Sequence, residues 1–156
     1  MSPATGRAMG LDVGERRVGV AIGDELGMIS SPLTVVRRRN GDLAELRDLA
    51  IAKGVDRLVV GLPTGLSGRE GPQAGVVRQF ADALEAAVGP EIPVVFWDER
   101  LSTAVAERTL HESGRWRRRQ KGDIDAVAAA VILQGYLDAC RARGLRGREQ
   151  GNADAR

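Results

Sequence analysis

A small set of carboxylates stands where the sequence pattern changes, and these are the residues through which this chain can do chemistry. Asp12 interrupts the apolar run of "MGLDVG", Asp98 and Glu99 close "IPVVFWDER", and Asp125 follows "KGDI" at the head of a long apolar segment. A charged acid beside a buried strand costs several kcal/mol, on the order of the penalty for buried ions, unless something pairs with it. Oxygen-only ligands suit Mg²⁺ or Mn²⁺ rather than zinc. Two such ions about 4 Å apart can activate water and stabilise the leaving oxygen in phosphodiester hydrolysis. Each acid alone has a plainer role: Asp12 as a turn residue, Asp125 in a favourable helix dipole, and Asp98, Glu99 and Arg100 as a solvated ion-pair cluster. Their conjunction is what points to a metal site. The chain has one His, His111, and one Cys, Cys140. That excludes an internal disulfide and a Cys-cluster zinc site, and it argues against a Ser-His-Asp triad.

The elements that must position these acids follow from periodicity. Strands are expected at "MGLDVG", "RRVGVAIGD", "GMISSPLTVVRR", "DRLVVGLP" and "IPVVFWDER". The first two form a tight hairpin through Gly14 and Glu15. Pro32 places the third strand toward an edge or a bulge. One helix sets Leu43, Leu46, Leu49 and Ala50 on one face and closes at Gly54. A second faces Val76, Phe80, Ala83, Leu84 and Ala87 inward. A short helix is expected after Ser102. In the last helix Asp125 shares a stripe with Ala129, Ile132 and Tyr136, with Asp123 as the cap. The class is α/β, with both sheet faces covered. Function in such sheets concentrates at the carboxyl ends of parallel strands. If strands one and five are parallel near neighbours, Asp12 and either Asp98 or Glu99 share a rim, and the last helix brings Asp125 to it.

Length and charge bound the rest. A chain of 156 residues fits one domain with a substantial core. No window reaches the roughly 18 apolar residues of a membrane span, and "MSPATGRAMG" has no signal-peptide core, so a cytoplasmic setting without membrane contact is expected. The net charge of +2 does not by itself predict nucleic-acid binding, but the basic residues cluster. "RRR" occupies Arg37 to Arg39, and Arg115, Arg117, Arg118, Arg119 and Lys121 surround Trp116. That second group precedes Asp125, so it is placed to hang over the acids. Its cations neutralise phosphates and its indole can stack on a base. Arg100 is a further candidate for the scissile phosphate.

An Asp-x-Gly turn between two strands also occurs in actin-like and sugar-kinase ATPases, where it holds nucleotide phosphates. That fold needs two such domains, for which 156 residues leave no room, so this reading requires the chain to be half of something larger. "GLPTGLSG" lacks the Gly-Lys-Ser/Thr ending of a Walker A loop.

Taken together, "GLDVGERRVGVAIGD", "VVGLPTGLSG", "WDERLST" and "KGDIDAVAAAVIL" resemble the YqgF/RuvX family in order and spacing. The similarity covers about Met9 to Arg143. That family is similar to the resolvase RuvC. The resemblance implies a ribonuclease H-like fold with a central five-stranded mixed sheet flanked by helices. It implies a nuclease that matures the 5′ end of the small-subunit rRNA precursor. The alternatives are a Holliday junction resolvase acting on branched DNA and a non-catalytic RNA-binding assembly factor. By the same resemblance Asp12 is the first-strand metal ligand, Glu99 the middle ligand with Asp98 as alternative, and Asp125 the helix acid, together holding two Mg²⁺ or Mn²⁺ ions. RuvC-like proteins carry the middle acid on the fourth strand, which here ends in "VVGLP" without one. The expected layout is an N-terminal tail over 1–8, a nuclease domain over 9–143 and a disordered basic tail over 144–156. The expected partner is nucleic acid, an rRNA precursor or branched DNA, with the protein a monomer or homodimer.

Overall fold

The structure, a computed structural model, describes residues 6–63, 71–98 and 121–154, with side chains of the last helix described over 124–144. The elements are β1 (Arg7–Val13), β2 (Arg17–Gly23), β3 (Ser30–Arg37), α1 (Asp42–Ala52), β4 (Val55–Leu62), α2 (Pro72–Val88), β5 (Val94–Asp98) and α3 (Lys121–Asp154). The short helix expected after Ser102 and the "TGLSG" loop lie outside the described residues.

The strands form one mixed five-stranded sheet in the order β3-β2-β1-β4-β5. β1, β2 and β3 run as an antiparallel meander, whereas β4 and β5 are parallel to β1. The first hairpin is tight as expected, closed by the Gly14 amide donating to the Arg17 carbonyl at 2.8 Å. Pro32 sits on edge strand β3 opposite Ala21, where the register shifts. Proline has no amide to give the ladder, so an edge with a bulge is where it fits. Strands one and five are not adjacent, because β4 lies between them. All three are parallel, so their carboxyl ends still share one rim.

Alternation divides the side chains between two cores. Leu11, Val13, Val60, Leu62 and Phe96 face α1 and α2, packing with Leu46, Ala50, Ala74, Val77, Phe80 and Leu84. Ala8, Ala21, Val59 and Trp97 face α3, packing with Ala129, Ala130, Ile132, Leu133 and Leu137. In α1 the expected face is the observed one, and Gly54 follows the helix at φ +67°. The α2 face is shifted from the expected one. Ala74, Val77, Phe80, Ala81 and Leu84 are buried, whereas Val76 and Ala83 are exposed. Apolar residues at 76, 77, 80, 83 and 84 allow two stripes, and the small residues Ala74 and Ala81 decide between them by letting the helix lie close. α3 begins at Lys121, so Asp123 lies within its first turn rather than capping it. The backbone of α3 continues to Asp154, across residues expected as a tail.

Glycines let α3 sit on the sheet backbone. A Cβ at Gly10 would meet Leu133 Cβ at 2.7 Å and the Ala129 carbonyl at 3.0 Å, and one at Gly19 would overlap the Asp125 carbonyl. At the β4–β5 side, Arg57 donates to the Tyr136 hydroxyl at 3.0 Å, and Trp97 meets the Tyr136 ring edge-on with centroids 6.1 Å apart. Among the described residues no helix is long and apolar enough to cross a membrane.

Candidate active site

Asp12 lies near the carboxyl end of β1, between Leu11 and Val13. Both neighbours face α1 and α2, so alternation turns Asp12 toward α3, half-buried. Its partner on β2 is Gly19. Because position 19 has no side chain, the backbone of α3 at Asp125 rests directly on it. The helix acid is thereby brought in over the strand acid. Asp12 and Asp125 line one open cavity of about 240 Å³, with Gly14, Glu15, Arg16 and Arg17 as the other lining residues.

Arg17 supplies the local countercharge. Its Nε donates to Asp125 Oδ2 at 2.8 Å, with the side chains 37% and 30% exposed. At that exposure the pair contributes only about 0–1 kcal/mol to stability. Its larger effect is orientation, since it fixes one carboxylate oxygen and leaves the other available. The sequence pattern did not single out Glu15, Arg16 and Arg17 as site residues. The signal was local: an acid and two arginines directly after the Asp-x-Gly turn.

The other expected site residues divide clearly. Asp98 ends β5, opposite Leu62. Phe96 packs toward α1 and α2 while Trp97 packs toward α3. Alternation therefore puts Asp98 on the face of Phe96, away from Asp12. Glu99, Arg100, Arg115, Trp116, Arg117, Arg118 and Arg119 lie outside the described residues, as does the side chain of Lys121. Among the described residues no three His, Cys, Asp or Glu side chains gather as a metal-binding group. Cys140 is a free, half-buried thiol on α3.

Comparison with known proteins gives these acids a context. Residues 6–139 match a family model described as "RuvX: Holliday junction resolvase". A protein of Moorella thermoacetica named "Putative pre-16S rRNA nuclease" is 54% identical over 134 residues, covering 85% of this chain and 94% of that protein. One of the same name from Symbiobacterium thermophilum is 51% identical over 139 residues, covering 88% and 95%. Among solved structures, Thermus thermophilus RuvC in complex with a Holliday junction substrate superposes with a TM-score of 0.54 at 15% identity, covering 86% of this chain and 94% of that one. The Fowlpox virus resolvase with Holliday junction DNA gives 0.50 at 11%, covering 85% and 97%. The fold is thus the ribonuclease H-like fold of RuvC-type resolvases.

Proposed function

The chain belongs to the RuvX family, and from that membership we propose that it is a metal-dependent nuclease whose acids are Asp12, Glu99 and Asp125. The reaction class is hydrolysis of a nucleic-acid phosphodiester bond. The substrate is a 16S rRNA precursor, by likeness to the relatives' name, and its 5′ region is the part the family resemblance implies. The observation that carries the site is Asp12 and Asp125, distant in sequence, lining one cavity across Gly19.

The donor chemistry fits a hard divalent cation. Among the described residues the cavity offers carboxylate oxygens and no thiol or imidazole. Asp12 and Asp125 would hold Mg²⁺ or Mn²⁺, with Glu99 as the third ligand. When bound, such ions supply an activated water and charge stabilisation at the leaving oxygen. Support for Glu99 over Asp98 comes from alternation, which turns Asp98 to the opposite face. Arg17 holds Asp125 in orientation, as partners of metal-binding groups do. Arg100, Arg115, Trp116, Arg117, Arg118, Arg119 and Lys121 are the proposed backbone and base contacts. The protein acts in the cytoplasm as a monomer or homodimer.

The RuvC-like fold favours a second reading, a resolvase acting on branched DNA. A single experiment addresses both. Purified full-length protein is given a 16S precursor fragment or a four-way DNA junction, with Mg²⁺ or Mn²⁺. Cleavage of the precursor is expected, and it should be abolished in folded Asp12→Asn and Asp125→Asn. Undiminished cleavage by both variants overturns the site. Cleavage of the junction alone supports the resolvase. Salt-sensitive RNA binding without cleavage supports the assembly-factor reading instead.

A further inference from the structure

Two arginines stand directly opposite one another beside the acids. The β2–β3 register pairs Arg17 with Arg37. Cross-strand partners project to the same face of a sheet. Arg17 projects to the α3 face, as its bond to Asp125 shows. Arg37 therefore stands on the catalytic face, one strand farther out.

This arrangement has a cost, because like charges directly opposed weaken a strand pair. Arg17 is offset by Asp125. Arg37 is exposed and forms no ion pair with another described residue. Its neighbours in the "RRR" run are differently engaged. Arg38 donates to Asp42 at 3.2 Å and to the Gly14 carbonyl at 3.0 Å, and its guanidinium lies 4.7 Å from the Phe80 ring centroid. Arg39 pairs with Glu45 at 2.7 Å. These two contacts tie the end of β3 to the first hairpin and to α1. A third exposed cation, Arg16, lines the cavity beside Arg17. Its carbonyl accepts from the Arg38 amide at 2.8 Å, which sets the hairpin turn against the end of β3.

We propose that Arg37, with Arg16 and Arg17, forms a phosphate-binding subsite that holds the nucleic-acid backbone on the β2–β3 side of the catalytic acids. The ligand is a phosphodiester flanking the scissile bond. A guanidinium matches phosphate geometry with paired donors. Among the described residues neither Arg37 nor Arg16 has an ion-pair partner, so theirs are the charges a phosphate would satisfy. Such contacts position the strand and do not read its sequence. This subsite lies on the opposite side of the sheet order from β5. The inference rests on the nuclease reading and adds to it the path of the strand.

The test separates the two. Binding of a labelled single-stranded RNA is measured without divalent ions, as a function of NaCl, for wild type, Arg37→Gln, Arg16→Gln and Arg47→Gln. Arg47 lies on α1, on the other face, and serves as the control. Arg37→Gln should weaken binding about threefold to tenfold and lower the slope of log affinity against log salt by about 0.7, the value for one single-strand phosphate contact. Its cleavage kinetics should show a raised KM with kcat little changed. Arg47→Gln should match wild type. If wild type binds and cleaves but Arg37→Gln has the wild-type affinity, slope and KM, the subsite is wrong and the nuclease reading stands. If wild type neither binds nor cleaves, both are wrong.

Discussion

Gly19 lies against the backbone of Asp125, so close that a methyl group at position 19 would overlap the Asp125 carbonyl. The same glycine is the cross-strand partner of Asp12. One absent side chain thus sets how near the strand acid and the helix acid come. The proposed metal site would demand that closeness, because ligand oxygens must converge on ions only a few ångströms across. The glycine would then constrain the proposed site as much as the packing.

Gly19→Ala should accordingly cost about 1–3 kcal/mol, the usual penalty for overfilling a packed contact. The colliding atoms are backbone, so α3 must shift and cleavage should fall with stability. Gly75→Ala provides the contrast. It lies in α2 with open space around its Cβ position. It should be neutral or stabilise by up to about 1 kcal/mol, since glycine is a poor helix former. Urea unfolding and a cleavage assay on both variants check this, and equal behaviour of the two would refute it.

The choice between neighbouring acids at the end of β5 gives a second prediction. Asp98 shares a face with Phe96, away from Asp12. Asp98→Asn should keep most of the cleavage activity. Glu99→Gln should lose more than the roughly 10- to 100-fold that removing an outer partner of a metal ligand costs. Steady-state cleavage at saturating Mn²⁺ measures both. A larger loss in Asp98→Asn would reverse the assignment.

The residues that were legible in the sequence are those whose signal is local. The apolar run around Asp12 gave its strand, and the structure gave its face. The helical stripe through Asp125, Ala129 and Ile132 gave the face of α3, where Ala129 and Ile132 are fully buried. The contact of Arg17 with Asp125 was not legible, because it joins residues 108 apart and leaves no mark on either neighbourhood. Nor was the placement of β4 between β1 and β5, since strand order is decided by how the helices cover the sheet. The α2 face was ambiguous for a different reason. Its apolar residues outnumber one stripe, and the choice fell to Ala74 and Ala81, whose smallness matters only against a neighbour.

A pH effect is expected at the β2–β3 loop. The Asp24 carboxylate accepts the Met28 amide at 2.7 Å and the Ile29 amide at 3.1 Å. The amides of Ile29 and Met28 favour the charged form and hold its pKa below the ordinary 3.8. A pKa lowered by folding means that the stabilisation is present above the ordinary value and is lost as pH falls through the lowered one. Asp24→Ala should therefore exchange the Met28 and Ile29 amides faster than wild type at neutral pH. The difference should vanish once Asp24 is protonated in the wild type. Amide hydrogen exchange at neutral and acidic pH measures this, and a difference that persists in acid would contradict it.

The seam between β1 and α3 gives the last prediction. Leu133 is fully buried on the α3 face of the sheet. Leu133→Ala should cost about 2–5 kcal/mol. Gly10→Ala should also destabilise, by about 1–3 kcal/mol, because its new methyl group meets Leu133. Combining the two could be thought to relieve the clash. It should not, because the nearest atom is Leu133 Cβ at 2.7 Å, which alanine retains, and the next is the Ala129 carbonyl at 3.0 Å. Only Leu133 Cγ, at an ordinary 3.5 Å, is removed. The double variant should lose nearly the sum of the single losses, within about 0.5 kcal/mol. Urea unfolding of the four proteins measures the coupling. A substantial rescue would mean that side-chain bulk, and not the helix backbone, sets the spacing of α3 above β1.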